Sequence, residues 1–211
     1  RGLQNHGNTC FMNSVLQALF YTPELRAGVY ESDRLHGSRI VEQLRMLFAR
    51  MQASTHETHG TQALMKSFGW EAADVGHQHD AHEFLHAIVN ALEEVERAVA
   101  EEEGEGGGET MAQRLFGGAW VHVLRCEQCG STRSRDEPFV ALDVSISEGA
   151  DLGAALRATT APKLFSGDSA LSCEQCMERT PTTRRVLIRR LPPLLVVALQ
   201  RCTYDPATFA R

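Results

Sequence analysis

The sequence predicts an α+β fold in which a helical half precedes a strand-rich half. Three observations carry this. The first hundred or so residues hold apolar positions at helical spacing. An acidic, glycine-rich stretch, EEEGEGGGE at 101–109, then breaks the pattern. Beyond it lie short segments with β-branched residues and partial alternation, interleaved with two C-x-x-C pairs. The 211 residues, 43% of them apolar, suffice for a sizeable core. The division falls at residues 1–110 and 111–211.

The first helix is expected to start at Cys10 and run through Leu19, with Phe11, Val15 and Leu19 on one face. Asn8 or Thr9 can cap it and Pro23 stops it. Ile40, Leu44, Leu47, Phe48 and Met51 mark a second helix. Ala81, Phe84, Leu85, Ile88, Leu92, Val95 and Val99 mark a third, long and strongly periodic. The glycines and like charges of 101–109 favour a solvated loop. Strands are expected at 119–125, 139–146, 186–190 and 194–202.

The formal net charge of −6 argues against a nucleic-acid partner and suits a substrate with basic surface. A membrane partner is not expected: no apolar run approaches the ~20 residues of a span, and the longest, 191–199, contains Pro192 and Pro193. No signal-peptide pattern is present. The chain opens without Met, inside a motif, so a start further upstream is expected.

Six cysteines carry most of the chemistry. Cys126-x-x-Cys129 and Cys173-x-x-Cys176 read as a closed, structural Zn²⁺ site of four thiolates, since disulfides are disfavoured in a reducing compartment. Their contexts, CEQCG and CEQCM, nearly repeat. No organic cofactor is implied. Cys10 stands alone at a helix mouth, where free N–H groups and the helix dipole favour a thiolate; a buried structural cysteine is the plainer alternative. His82-Glu83-Phe84-Leu85-His86 satisfies H-E-x-x-H, but the sequence that follows, AIVNALEE, lacks the glycine and third histidine of the extended metalloprotease form.

Four ordered motifs go further. GLQNHGNTCFMNS at residues 2–14 resembles the cysteine box of the ubiquitin-specific proteases. KSFGW at 66–70 and QHDAHEFL at 78–85 resemble later motifs of that family, in a combination similar to its herpesvirus-associated branch. LPPLLVVALQRCTYD at 191–205 resembles a palm strand. The resemblance spans residue 2 to about 210. It implies a papain-like thiol protease, with a helical thumb followed by an antiparallel β fingers and palm region, truncated within the palm.

The implied activity is removal of ubiquitin by hydrolysis of the isopeptide or peptide bond after its C-terminal glycine. Cys10 would be the nucleophile and Asn5 the oxyanion-stabilising amide. Gln78, Asp80 and Glu83 would grip the ubiquitin tail, a helix N-terminal charge being the plainer role for Asp80. His77 and His79 are expected in loops or at the surface. Ubiquitin and ubiquitinated proteins are the implied partners, and the cytoplasm or nucleus the implied location. None of the nine histidines matches the family's catalytic box, so this stretch alone is expected to be inactive, and an inactive ubiquitin-binding module is the alternative reading. The sequence departs from the family at His6, His82, Gln200 and Cys202.

Overall fold

The longest apolar stripe of the sequence becomes the longest helix. The structure, a computed structural model, describes residues 1–31, 37–70, 79–104, 107–146, 149 and 151–200. The chain divides into two units, Arg1–Leu115 and Phe116–Arg211.

In the first unit, α1 (Cys10–Phe20), α2 (Pro23–Glu31), α3 (Arg39–Ala53), α4 (Gln62–Ser67) and α5 (Ala81–Glu102) are followed by α6 (Met111–Phe116), which ends at the boundary. α5 packs against α1 and α3, burying Phe84, Leu85, Ile88, Val89 and Leu92. On α1 the fully buried positions are Met12 and Leu16, flanked by Phe11, Leu19 and Phe20, while Val15 is only half-buried. The buried face is therefore centred one residue later than the Phe11–Val15–Leu19 stripe suggests. On α3 the buried residue of the first turn is Val41, with Ile40 at the edge. Pro23 opens α2, where its missing N–H costs nothing. α5 continues through Glu101 and Glu102, so the acidic segment begins inside a helix.

Two short parallel strands, β1 (Gly2–Leu3) and β2 (Thr58–His59), anchor the segment leading into α1. Gly2 N donates to Glu57 O at 2.8 Å and Gln4 N to His59 O at 2.9 Å.

In the second unit, β3 (Gly118–Cys126), β4 (Thr132–Phe139), β6 (Lys163–Phe165) and β9 (Thr182–Arg190) form an antiparallel sheet in the order β4-β3-β9-β6. β7 (Leu171–Cys173) and β8 (Glu178–Thr180) form a hairpin. β5 (Ala141–Ser145) pairs with β10 (Val196–Gln200), and this pair runs parallel, unlike the other strand pairings of the unit. α7 (Leu152–Thr160), capped by the Asp151 carboxylate at Ala154 N, covers this region. Its Ala155 joins Leu142 and Val144 in a core against Trp120, Phe139, Ile146, Leu156 and Val197. Gly118 pairs with Phe139 across β3 and β4, and the phenyl ring lies where a Cβ on residue 118 would stand. Among the described residues no helix is long and apolar enough to cross a membrane.

Candidate functional site

Cys10 is the first residue of α1 and is exposed, unlike the buried structural cysteine that the residue type alone suggests. Its Sγ has no hydrogen-bond partner among the described residues. The residue before it, Thr9, holds the N-cap position but makes no side-chain cap. Its side chain does something else. Thr9 is 1% exposed. Its hydroxyl accepts the His6 N–H at 3.2 Å and donates to Asn5 Oδ1 at 3.0 Å, and Thr9 N donates to the same oxygen at 3.4 Å. Asn5 is thus fastened by its carbonyl end, which leaves its amide N–H groups as the outward donors. The opening segment is tied further by Asn13 Nδ2 donating to Gln4 O at 3.1 Å. Gln62 Nε2 lies 3.1 Å from His6 Nδ1, which links the loop before α1 to the start of α4. The sequence marked Thr9 only as a possible helix cap, not as the residue that holds Asn5, and did not mark Gln62.

The KSFGW and QHD motifs meet in an aromatic cluster. Trp70 stacks on His79 with centroids 5.4 Å apart and planes 10° off parallel. Phe11, next to Cys10, contacts both rings, and Phe68 and Phe84 complete the group. His79 is therefore a loop histidine, as one of the two expectations had it, half-buried by this packing. Asp80 is the N-cap of α5, accepting His82 N at 2.7 Å, so the helix-capping role is realised. Glu83 is exposed in the first turn. Gln78, His77 and Cys202 lie outside the described residues.

The four knuckle cysteines converge. Their Sγ atoms lie within 4.8 Å of one another, with Cys126–Cys176 at 3.9 Å and Cys129–Cys173 at 3.7 Å. Tetrahedral Zn²⁺ with Zn–S of about 2.3 Å separates its sulfurs by roughly 3.8 Å, so the thiols fit that ion and are too far apart for disulfides. Each knuckle is a hairpin turn: β3 to β4 for the first, β7 to β8 for the second. The residue after each pair, Gly130 at φ 74° and Met177 at φ 57°, is left-handed, so the repeat extends to the backbone. Glycine takes that conformation freely; methionine is strained there. Thr180 Oγ1 at 3.2 Å, with N–H groups of the Cys126 knuckle, holds the Cys126 thiol down at about 6. The Cys176 N–H and the Ser131 hydroxyl lower Cys173 likewise. Hydrogen bonding to Cys129, then burial, pushes Cys176 up to about 12. These hydrogen bonds favour the thiolate forms of Cys126 and Cys173, while the proton held on Cys176 is one that a bound metal would displace.

H-E-x-x-H also forms a pair, with His82 Nε2 and His86 Nε2 3.0 Å apart. Among the described residues no third His, Cys, Asp or Glu completes a metal set there.

The sequence profile of the ubiquitin carboxyl-terminal hydrolase family matches residues 1–210. The chain belongs to that family. As a family member it is similar to ubiquitin carboxyl-terminal hydrolase 26 of Arabidopsis thaliana, 33% identical over 215 residues, covering 100% of this chain and 19% of that protein. It is similar to ubiquitin carboxyl-terminal hydrolase 40 of Homo sapiens at 29% over 218 residues, 97% of this chain and 17% of that protein. It matches ubiquitin carboxyl-terminal hydrolase 47 of Drosophila melanogaster at 28% over 219 residues, 100% of this chain and 14% of that protein. The chain therefore spans less than a fifth of the length of these relatives. These matches establish the family but not the narrower likeness to the herpesvirus-associated branch. The family's papain-like α+β fold agrees with the helical first unit and strand-rich second unit, and the four-thiol cluster is its metal centre.

Proposed function

We propose that the protein is a cysteine deubiquitinase, cleaving the bond after the C-terminal glycine of ubiquitin. The observation that carries this is the exposed Cys10 at the start of α1, preceded by an asparagine whose carbonyl Thr9 holds, inside a match that spans the chain. The Cys10 thiolate attacks the scissile carbonyl. The Asn5 amide and the Cys10 N–H receive the developing oxyanion, and the amine leaves with a proton. Water then cleaves the thioester and restores the thiol. Acid–base transfer falls to a histidine, and none of the nine in this sequence matches the family's catalytic box.

Asp80 and Glu83 are assigned to the ubiquitin tail, with Gln78 beside them in sequence. Asp80 spends one oxygen on the helix cap, and its second oxygen and the exposed Glu83 carboxylate can pair with a tail arginine or N–H group. The first unit would be the thumb and the second the fingers and palm. Zn²⁺ held by Cys126, Cys129, Cys173 and Cys176 would lock the β7–β8 hairpin to the β3–β4 tip, a structural role. Unpaired thiols suit the reducing cytoplasm or nucleus. Ubiquitin and ubiquitinated proteins are the partners.

The test is cleavage of a ubiquitin conjugate by the full-length protein. Turnover that Cys10→Ala abolishes supports the proposal. Ubiquitin binding with no Cys10-dependent turnover makes the protein a ubiquitin-binding module instead.

A further inference from the structure

Outside the cysteine centre, two imidazoles of the described residues are brought together edge-on. His82 and His86 stand one turn apart on α5, so their imidazoles share a side of the helix. The ring centroids are 4.5 Å apart with planes at 89°, and the two Nε2 atoms approach to 3.0 Å. With metal–nitrogen bonds of about 2.1 Å, a right angle at the metal puts two ligating nitrogens roughly 3.0 Å apart, and a tetrahedral angle roughly 3.4 Å. The observed span matches the right angle of a five- or six-coordinate ion. Both rings are half-buried, so their orientation is restrained while water retains access.

We propose that His82 and His86 form a second metal site, a two-imidazole chelate for a divalent transition ion such as Ni²⁺ or Zn²⁺, with water completing the shell. Imidazole is the side chain that suits these ions. No third protein ligand stands within reach among the described residues. The site is therefore a weak, exchangeable one, unlike the closed four-thiol centre in the other unit, and it lacks the third ligand of a zinc protease. The N-terminal end of α5 carries partial positive charge, which opposes a cation; the Asp80 and Glu83 carboxylates of the same turn offset it. The alternative is a plain hydrogen bond between two neutral imidazoles.

The experiment titrates tag-free, zinc-loaded protein with Ni²⁺ by calorimetry and records the visible spectrum of the complex. One Ni²⁺ binds, with the weak bands of a nitrogen and oxygen environment. His82→Gln and His86→Gln, which keep a polar side chain at each position, each weaken it by more than about tenfold, since loss of an outer-shell partner alone costs that much. Equal Ni²⁺ uptake in the variants, or no uptake by the wild type, overturns the proposal. Thiolate charge-transfer bands, showing Ni²⁺ in the cysteine centre instead, overturn it as well. A second reading needs no variant. Zn²⁺ added to the zinc-loaded wild type shifts the imidazole ¹⁵N signals of His82 and His86; shifts confined to other histidines count against the site.

Discussion

Replacing Thr9 with Val removes a hydroxyl and almost nothing else. The side chain is 1% exposed and Val has its shape, so no cavity opens. Two hydrogen bonds go: His6 N–H to Thr9 Oγ1 at 3.2 Å and Thr9 Oγ1 to Asn5 Oδ1 at 3.0 Å. At about 0.5–1.5 kcal/mol net each, the loss is about 1–3 kcal/mol, and for a chain of this size 2 kcal/mol lowers Tm by about 4–8 °C. The larger consequence falls on Asn5, whose carbonyl keeps only the 3.4 Å bond from Thr9 N. Its amide then samples orientations that miss the oxyanion. An oxyanion donor is worth about 10²–10³ in kcat, so Asn5→Ala is expected to lose that amount and Thr9→Val a large part of it, with KM little changed. The two effects act through one donor, so the double variant falls no further than Asn5→Ala. The assay is hydrolysis of a ubiquitin C-terminal fluorophore by the full-length protein, alongside thermal unfolding. A Thr9→Val protein that melts lower yet keeps its kcat refutes the reasoning, as does a double variant whose losses multiply.

Three further outcomes follow from the same structure. Cys126→Ser with Cys173→Ser removes two ligands, so bound zinc, about one per chain for a closed site, is lost and the β7–β8 hairpin becomes a protease-sensitive segment; unchanged zinc by elemental analysis contradicts the assignment. His59 is 6% exposed, with Nε2 unpartnered, and burial, aided by His56, Arg1 and Arg50, lowers its pKa from the usual 6.5. The unfolded chain then takes up a proton below pH 6.5 that the folded chain refuses, so stability falls as pH drops through that range; His59→Gln should flatten the profile in denaturant melts, and a steeper one would reverse the sign. Gly118→Ala pushes a methyl into the Phe139 ring and should cost about 1–3 kcal/mol, read as a lower midpoint in urea at unchanged slope.

The long helices were legible because each buries one stripe over several turns: α5 shows Phe84, Leu85, Ile88 and Leu92 at helical spacing whatever lies around it. The knuckle cysteines were legible because four thiols in C-x-x-C pairs have few other uses. β4 was not. Its sequence, TRSRDEPF, is polar on both faces because it is an edge strand with every residue but Phe139 exposed, so no alternation survives. α7 is short and alanine-rich, and its one local signal, Asp151 capping Ala154, is easily taken for a turn. The parallel pairing of β5 with β10 joins segments more than fifty residues apart, which no local pattern encodes. At the candidate site, sequence motifs named Cys10 and Asn5, but the Thr9 hydroxyl and the His6–Gln62 bond needed coordinates. Residue type alone allows Thr9 to be only a helix cap.

The most direct measurement is to incubate the full-length protein with ubiquitin carrying a C-terminal electrophile and to map the adduct by mass spectrometry. A single ubiquitin adduct on Cys10, absent from Cys10→Ala and slowed in Asn5→Ala, is the predicted result. An adduct on Cys126, Cys129, Cys173, Cys176 or Cys202 while Cys10 stays free, or labelling that persists in Cys10→Ala, would contradict the account.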